Sequence, residues 1–332
     1  MMDVAAVAGV SQATVSLVLN GSLGAKLSDS TRKRVHDAAQ ELGYTLVRRT
    51  AQAAPEGRSN IVFVADEVTT DPWMALAFEG ARDKALESGI NVCLCISHGD
   101  AGIEQMIVEQ MGQLPLVGFI YGTILTRRVD LAPAFADQRT VLVNCYDAKR
   151  SLPSVVPGDL LGGRTATERL IKSGHRRIGF INGQQGIDAS RDRLKGYRQA
   201  LSSNDIPFEP ALVRPGNWEP VSGYEHTKVL MAQDNPPTAI FCANDLMAIG
   251  CYEALSELGK RVPHDVSVIG FDNRDIAKNI HPPLTTVTLP HYEMGEIAAE
   301  QLIDAASGLQ GGPAQIKAEC TLVERTSIKN LA

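Results

Sequence analysis

DVAAVAGVSQATVSLVLN, residues 3–20, predicts two short helices joined by a tight turn at GVS. Ala5 is small enough for the second helix to cross the first closely, and Gly9 tolerates the left-handed backbone angle of such a turn. Val15, a β-branched apolar residue, would fill the contact between the two helices. This spacing is typical of a helix-turn-helix, whose second helix can enter the major groove of DNA.

The second helix of this motif carries the candidate DNA-reading side chains. Ser11 is a good N-cap for it, because a serine hydroxyl accepts a free backbone N–H of the first turn. The side chains that would face the groove are Gln12, Ala13, Thr14, Ser16 and Leu17. Two short helices around a glycine also occur in proteins that bind no nucleic acid, so the rest of the chain has to decide between the two interpretations.

A third helix and a linker follow the motif. Ser28 caps this helix and Gly43 ends it. Its apolar residues recur at helical spacing and are Val35, Ala38, Ala39 and Leu42. We therefore predict a small all-α headpiece over residues 1–43. Residues 44–59, YTLVRRTAQAAPEGRS, form a basic linker, which is either a flexible hinge or a segment that orders against DNA.

From residue 60 onward, apolar runs alternate with amphipathic helices. The strand-like runs are IVFVA (61–65), VCLCI (92–96), VGFIY (117–121), VLVN (141–144), IGFI (178–181), AIFC (239–242) and VSVIGF (266–271). Strands that are apolar on nearly every residue indicate parallel sheets covered on both faces, so we predict an α/β core of two doubly wound lobes. The expected core covers residues 60–332, with lobe 1 at about 60–157 and 289–316 and lobe 2 at about 158–288 and 317–330.

Composition limits the classes of protein that fit. The formal net charge is −6, but residues 1–58 hold seven Lys and Arg against five Asp and Glu, a net of +2 that leaves −8 in the remainder. A basic head on an acidic body suits a DNA-reading module joined to a larger domain. With no secretory leader and no apolar run near the ~18 residues of a membrane span, a cytoplasmic protein without membrane contact is expected. The six scattered cysteines predict reduced thiols, with no metal site and no cofactor.

Polar side chains follow several of the predicted strands, where open parallel sheets bind ligands. Carboxylates and amides bond vicinal hydroxyls, an arginine supplies a fork of donors, and an indole covers the apolar face of a pyranose. The candidates for such a sugar site are Asp66, Asp71, Trp73, Arg191, Trp218, Asn244 and Asp272, with Asn144 and Asp245 beside them. Structural alternatives stay open, since Asp245 is equally a helix N-cap, Arg191 a surface ion pair and Trp218 a core residue.

Several long motifs together resemble the lactose/galactose repressor family. The opening motif is followed by S-x-x-T-R-x-R-V-x-x-A-A-x-E-L-G-Y, as in the headpiece of that family. Three later stretches of this sequence resemble the regulatory core of that family. They are D-x-x-G-G-R-x-A-T-x-x-L-I-x-x-G-H-R-R-I-G-F-I (159–181), A-I-F-C-A-N-D-x-M-A-I-G (239–250) and S-V-I-G-F-D-N (267–273). The resemblance spans the whole chain. It implies a homodimeric transcription factor, usually a repressor, whose core resembles periplasmic sugar-binding proteins and closes its two lobes on an effector.

The resemblance also implies residue roles. Arg191, Asn244 and Asp272 match positions at which the family contacts its effector, here expected to be a carbohydrate. The further effector contacts that it implies are Asp159, Trp218, Asp66, Asp71 and Trp73. On pseudo-palindromic operator DNA, Gln12 and Ala13 match the base-reading pair, and a glutamine there can bond an adenine edge. The other implied DNA contacts are Ser11, Thr14, Ser16, Leu17, Asn20, Arg48 and Ala53.

This sequence departs from the family pattern at both ends and in the linker. Leu17 stands where many members carry a guanine-reading arginine, and Ala53 stands where a leucine wedges into the minor groove, so weaker DNA kinking is predicted. In the linker, Leu46-Val47 replaces the usual Pro-Asn. The first helix lacks a preceding Ser or Thr cap, which predicts a native start upstream of Met1. No leucine-heptad tail follows the last strand, which predicts a dimer rather than a tetramer.

Two other classes of function compete with a regulator. A solute-binding protein of a sugar transport system would share the core, but it would need an export signal and no DNA-binding head. An enzyme would need a nucleophile–base set or a phosphate-binding loop, and GFINGQQG (179–186) fits neither G-x-G-x-x-G nor G-x-x-x-x-G-K-[ST]. We therefore predict a DNA-binding repressor of carbohydrate-utilisation genes that is switched by a small effector, and not an enzyme.

Overall fold

The computed structural model describes residues 2–10, 14–15, 18–19, 27–42, 60–309 and 315–331. The chain divides into two compact units, of which the first is Met1–Pro157 with Pro290–Glu319 and the second Gly158–Leu289 with Cys320–Ala332. The chain thus passes between the units after residues 157, 289 and 319, where the sequence predicts 157, 288 and 316. Within the described residues, no helix is both long enough and apolar enough to cross a membrane.

The N-terminal part of the first unit is helical. Its helices are α1 (Met2–Ala8) and α2 (Asp29–Glu41), and Thr14, Val15, Val18 and Leu19 between them are also helical. Ser28 caps α2 as predicted, because its hydroxyl accepts the backbone N–H of Thr31 at 3.2 Å. Gly43 and the linker, residues 44–59, lie outside the described residues.

A parallel sheet of six strands forms the rest of the first unit. Its strands are β1 (Asn60–Ala65), β2 (Asn91–Ile96), β3 (Leu116–Val129), β4 (Thr140–Asp147), β5 (Ser154–Pro157) and β11 (Gln315–Ala318). They lie in the order β11-β5-β4-β3-β1-β2, and every neighbouring pair is parallel. Since β1 is buried along almost its whole length, helices have to cover both faces of this sheet.

The helices of this unit pack closely enough to bring backbones into contact. They are α3 (Trp73–Leu86), α4 (Ala101–Met111) and α10 (His291–Ala306), with a 3₁₀ turn at Pro133–Asp137. A Cβ added to Gly80 of α3 would lie 1.9 Å from the carbonyl oxygen of Tyr292, and one added to Gly295 of α10 would lie 1.8 Å from that of Ala77. Glycines at this crossing are therefore a packing requirement.

The second unit repeats the architecture with a smaller sheet. Its strands are β6 (Ile178–Ile181), β7 (Val213–Arg214), β8 (Ala239–Cys242) and β9 (Ser267–Ile269), parallel in the order β7-β6-β8-β9, beside an antiparallel pair of β10 (Thr286–Val287) and β12 (Leu322–Val323). Its helices are α5 (Asp159–Lys172), α6 (Asp188–Ser202), α7 (Pro220–Met231), α8 (Asp245–Glu257) and α9 (Asp275–Asn279), with a 3₁₀ turn at Pro210–Leu212. The predicted α/β class with two parallel sheets and a helical N-terminal region is confirmed.

Strained backbone marks the carboxyl ends of the strands. Asn144, Trp218, Asp272 and Asn273 all have positive φ, at 58°, 72°, 108° and 57°. Such angles are uncommon in residues other than glycine, and they concentrate at functional sites. In the second unit, Trp218, Asp272 and Asn273 follow β7 and β9, so the loops after these two strands are candidate site positions.

Candidate functional site

The N-terminal helices pack in the way a helix-turn-helix requires. Ala5 and Val15 are both buried, and Val15 has no exposed surface at all. Gly9 has a φ of 65°, and the N–H of Val10 donates to the carbonyl of Ala5 at 3.0 Å. Gly9 thus has the predicted left-handed backbone angle, and Ala5 and Val15 lie in one buried apolar cluster.

Most of the predicted DNA contacts lie outside the described residues. These are Ser11, Gln12, Ala13, Ser16, Leu17, Asn20, Arg48 and Ala53. Thr14 is described, and it is buried, with its hydroxyl donating to the carboxylate of Glu319. A phosphate contact by Thr14 would require this hydroxyl to leave Glu319, and it stays a prediction.

In the first unit, Asp66 lies where β1 ends. Its carboxylate accepts the backbone N–H of Ile124 at 2.9 Å and the guanidinium of Arg127 at 3.2 Å. Burial raises the pKa of Asp66 above its usual value, although these donors act in the opposite direction. Asn144, a buried residue of β4, donates from its amide to the carbonyls of Thr123 and Ile124 at 2.8 and 3.1 Å. Asp66 and Asn144 thus anchor the same segment of β3.

Trp73 is placed in the packing of the first unit. It begins α3, is 7% exposed, and stacks on His291 with ring centroids 5.2 Å apart and an interplanar angle of 17°. Asp71, two residues earlier, is half-buried. For Trp73 the described contacts are those of a core residue, and effector contacts by Trp73 and Asp71 stay predictions.

The second unit brings two of the predicted carboxylates to one arginine. Asp159, Arg193 and Asp272 are all buried. Arg193 Nε donates to Asp159 at 2.8 Å, its Nη1 donates to the carbonyl oxygen of Ala243 at 2.5 Å, and the same nitrogen lies 3.7 Å from Asp272. A buried guanidinium between two carboxylates holds all three side chains in fixed positions.

Aromatic rings surround this arginine. The guanidinium carbon of Arg193 lies 3.7 Å from the centroid of the Phe271 ring and 5.5 Å from that of Trp218. A cation within about 6 Å of an aromatic face is attracted to it. Arg274 approaches from the other side of Asp272, with Nε 3.4 Å from a carboxylate oxygen. Trp218 therefore borders the ion network, and an effector contact by Trp218 stays a prediction.

Arg191, which the sequence singled out, does not join this network. Its side chain is 63% exposed and pairs with Asp188 at 2.6 Å and Asp192 at 3.0 Å. Arg193 was missed, although the periodicity of α6 contains a signal for it. The buried residues at i, i+3, i+4 and i+7 of this helix are Arg193, Gly196, Tyr197 and Ala200, and they form its inner face. Arg191 does not lie on this face.

Asn244, rather than its neighbour Asp245, caps a helix of the second unit. It is the N-cap of α8, since its Oδ1 accepts the N–H of Met247 at 2.9 Å. Its Nδ2 donates to the carbonyl oxygen of Trp218, also at 2.9 Å. Asp245 is fully buried and accepts the hydroxyl of Thr286 and the backbone N–H of Arg274. Burial, with the charge of Asp272, raises its pKa to about 8.

The fold and the site define a class of protein that joins a ligand-binding core of two parallel sheets to a helical DNA-binding region. Residues 1–45 match the model of "bacterial regulatory proteins, lacI family", and residues 167–328 match that of a "periplasmic binding protein-like domain". Among curated proteins, the repressor CytR of Escherichia coli K12 is 32% identical over 100% of this chain and 96% of its own length. The ribose operon repressor of Haemophilus influenzae is 29% identical over 100% of this chain and 99% of its own length.

Solved structures agree with this assignment. A complex of the transcriptional regulator CelR with cellobiose has a TM-score of 0.67 at 30% identity, covering 98% of both chains. A lac repressor dimer bound to operator has a TM-score of 0.68 at 26% identity, also covering 98% of both. The chain belongs to the lacI family of bacterial regulatory proteins. It is a transcriptional repressor that binds DNA with effector-regulated affinity, and not an enzyme.

Proposed function

We propose that the effector is a carbohydrate or carbohydrate derivative, and that the protein represses genes of carbohydrate utilisation. The observation that carries this proposal is the buried network of Arg193, Asp159 and Asp272 beside Trp218. Vicinal hydroxyls need acceptors and donors at fixed positions, and an indole provides the apolar surface for the C–H face of a sugar ring.

The charge balance supports a neutral effector. Arg193 and Arg274 carry two positive charges, and Asp159 and Asp272 carry two negative ones, so the formal charges of these four side chains cancel. An anionic ligand would need an excess of positive charge in so buried a place. The Nε1–H of Trp218 is buried and finds no acceptor among the described residues, which favours a ligand with an oxygen acceptor.

The relatives support the same class of ligand. One solved relative is a complex with cellobiose, and one curated relative is named for a ribose operon. We extend this class to the present chain on the strength of its own site. The residues in direct contact with the effector would be Asp272, Trp218 and Arg193, and Asp159 would hold Arg193 in place.

On DNA, we propose a homodimer that reads a pseudo-palindromic operator. Each protomer would place Gln12 and Ala13 in the major groove of one half-site, as the resemblance implies. The lac repressor relative is described as a dimer bound to operator. The effector would change operator affinity because it binds the DNA-bound and the free arrangements of the protein with different affinities.

A thermal-shift screen tests the class of effector. The panel would hold monosaccharides, disaccharides, sugar phosphates and nucleobases, because a ligand that binds only the folded state at 100 times its Kd adds about 2.7 kcal/mol of stability. We expect neutral sugars to raise the melting temperature of the wild type, and Asp272→Ala to abolish the rise. Stabilisation by nucleobases alone, or a sugar-induced rise that Asp272→Ala retains, would contradict the proposal.

A further inference from the structure

The indole of Trp218 lies directly on the loop that joins β6 to α6. Gly183 in this loop is buried, and a Cβ built on it would lie 2.0 Å from Cη2, 2.1 Å from Cζ2 and 2.4 Å from Cζ3 of Trp218. Carbon atoms in van der Waals contact are 3.5–4.0 Å apart. The indole can therefore occupy this position only while residue 183 lacks a side chain.

The backbone of Trp218 is also held in an unusual conformation. Its φ of 72° is uncommon for a bulky residue. The Nδ2 group of Asn244 donates to the Trp218 carbonyl oxygen at 2.9 Å, while the Oδ1 of the same amide caps α8. Because the cap fixes the amide, the rigid first turn of α8 determines where the Trp218 backbone lies.

We infer that Gly183 and Asn244 are positioning residues, which set effector affinity and selectivity by fixing the indole of Trp218 beside Arg193. The inference rests on the proposed function, because it takes Trp218 as an effector contact. The two residues act on different parts of Trp218, since Gly183 leaves room for the ring and Asn244 holds the backbone. A side chain at position 183 displaces the far edge of the ring rather than the backbone of the fold.

The position of the indole can be measured without any ligand. The chain has two tryptophans, so Trp73→Phe leaves Trp218 as the only indole and keeps an aromatic ring against His291. In this background we expect Gly183→Ala to red-shift the emission of Trp218 and to increase its quenching by acrylamide. The matched control is Gln184→Ala, an exposed neighbour in the same loop, which should leave both signals unchanged.

A second variant tests the backbone contact. Asn244→Asp retains the acceptor that caps α8, because Asp and Asn cap helices equally well, but it removes the donor to Trp218. We expect the far-ultraviolet circular dichroism of Asn244→Asp to match the parent while the Trp218 emission shifts. Unchanged emission and quenching in both Gly183→Ala and Asn244→Asp would overturn the inference.

The effect on binding is measured with D-ribose and cellobiose by isothermal titration. We expect Gly183→Ala to weaken the tighter of the two sugars about tenfold and to change the ratio of their Kd values. In a Trp218→Ala background the same substitution should have no effect, because the residue it displaces is gone. Equal losses in both backgrounds would refute action through Trp218. If Gly183→Ala shifts the emission but no panel sugar binds the wild type, the proposed effector class is wrong and the positioning of Trp218 stands.

Discussion

Replacement of Arg193 by methionine should destabilise the second unit strongly, because it removes the guanidinium that pairs with the buried carboxylates of Asp159 and Asp272 while keeping most of the volume. Asp159 is 4% exposed and Asp272 6% exposed, so neither can recover its lost partner from water. Removing one member of a buried ion pair costs about 3–5 kcal/mol, since it leaves an uncompensated buried charge. The interaction with Phe271 is lost as well.

Arg191→Met is the matched control for this substitution, because it lies two residues away on the same helix. Its ion pairs with Asp188 and Asp192 are largely exposed to solvent. Exposed pairs contribute about 0–1 kcal/mol, so the two substitutions should differ by several kcal/mol although they remove the same group. The comparison also tests whether Arg191 contacts the effector, since a sugar affinity lost in Arg191→Met would support that prediction.

Urea unfolding followed by Trp218 fluorescence in the Trp73→Phe background is a suitable assay, because the signal then comes from the second unit. We expect Asp159→Asn to offset part of the Arg193→Met loss, with a coupling of about 0.5–3 kcal/mol between the two positions. An Arg193→Met protein within 1 kcal/mol of wild type, or equal to Arg191→Met, would refute the ion network as the scaffold of the site.

Three further predictions concern other parts of the chain. Because burial raises the pKa of Asp245 to about 8, the folded protein keeps a proton that the unfolded chain releases near 3.8, so stability falls as the pH rises between those values. The stability of Asp245→Asn relative to the wild type should then rise by up to about 1.4 kcal/mol per pH unit between pH 5 and pH 7.5. The same difference between the two urea midpoints at both pH values would contradict this. Gly250→Ala should cost about 1–3 kcal/mol in urea unfolding, since its Cβ would lie 1.8 Å from the carbonyl oxygen of Pro220, whereas Gly102→Ala, whose Cβ meets a side-chain oxygen at 3.1 Å, should cost less. Gln12→Ala should relax operator specificity at one base pair by about 1–3 kcal/mol, and an unchanged sequence preference in a binding-site selection would argue against the proposed docking.

The strand and helix pattern of the core was predictable because its apolar runs are long and continuous. The predicted strand at 61–65 corresponds to β1 within one residue at each end. β5 was not predicted, because its sequence, SVVP, lacks such a run, whereas β11 lies within the longer stretch, 316–328, that was predicted as the last strand. Their pairing with each other becomes visible only when the chain is folded, since about 160 residues separate them.

The types of residue in the candidate site were easier to predict from the sequence than the particular residues. Asp159, Trp218 and Asp272 meet around one arginine, and the sequence identified all three. Arg191 was predicted and Arg193 was not, because only the periodicity of α6 shows that Arg193 lies on its buried face. For Trp73, a strand-end position suggested a ligand contact, while its stacking on His291 depends on a helix more than 200 residues away in the chain.

A carbohydrate that binds this protein should thereby change its affinity for operator DNA. The most direct measurement is the fluorescence anisotropy of a labelled operator, selected by the wild-type protein from random duplexes, at one fixed salt concentration because protein–DNA affinity depends on salt. The labelled operator would be titrated with the protein, in the presence and in the absence of the sugar that gives the largest thermal shift. A coupling of 1–3 kcal/mol predicts a change in operator Kd of about fivefold or more, in either direction. The same Kd with and without saturating sugar would contradict the account.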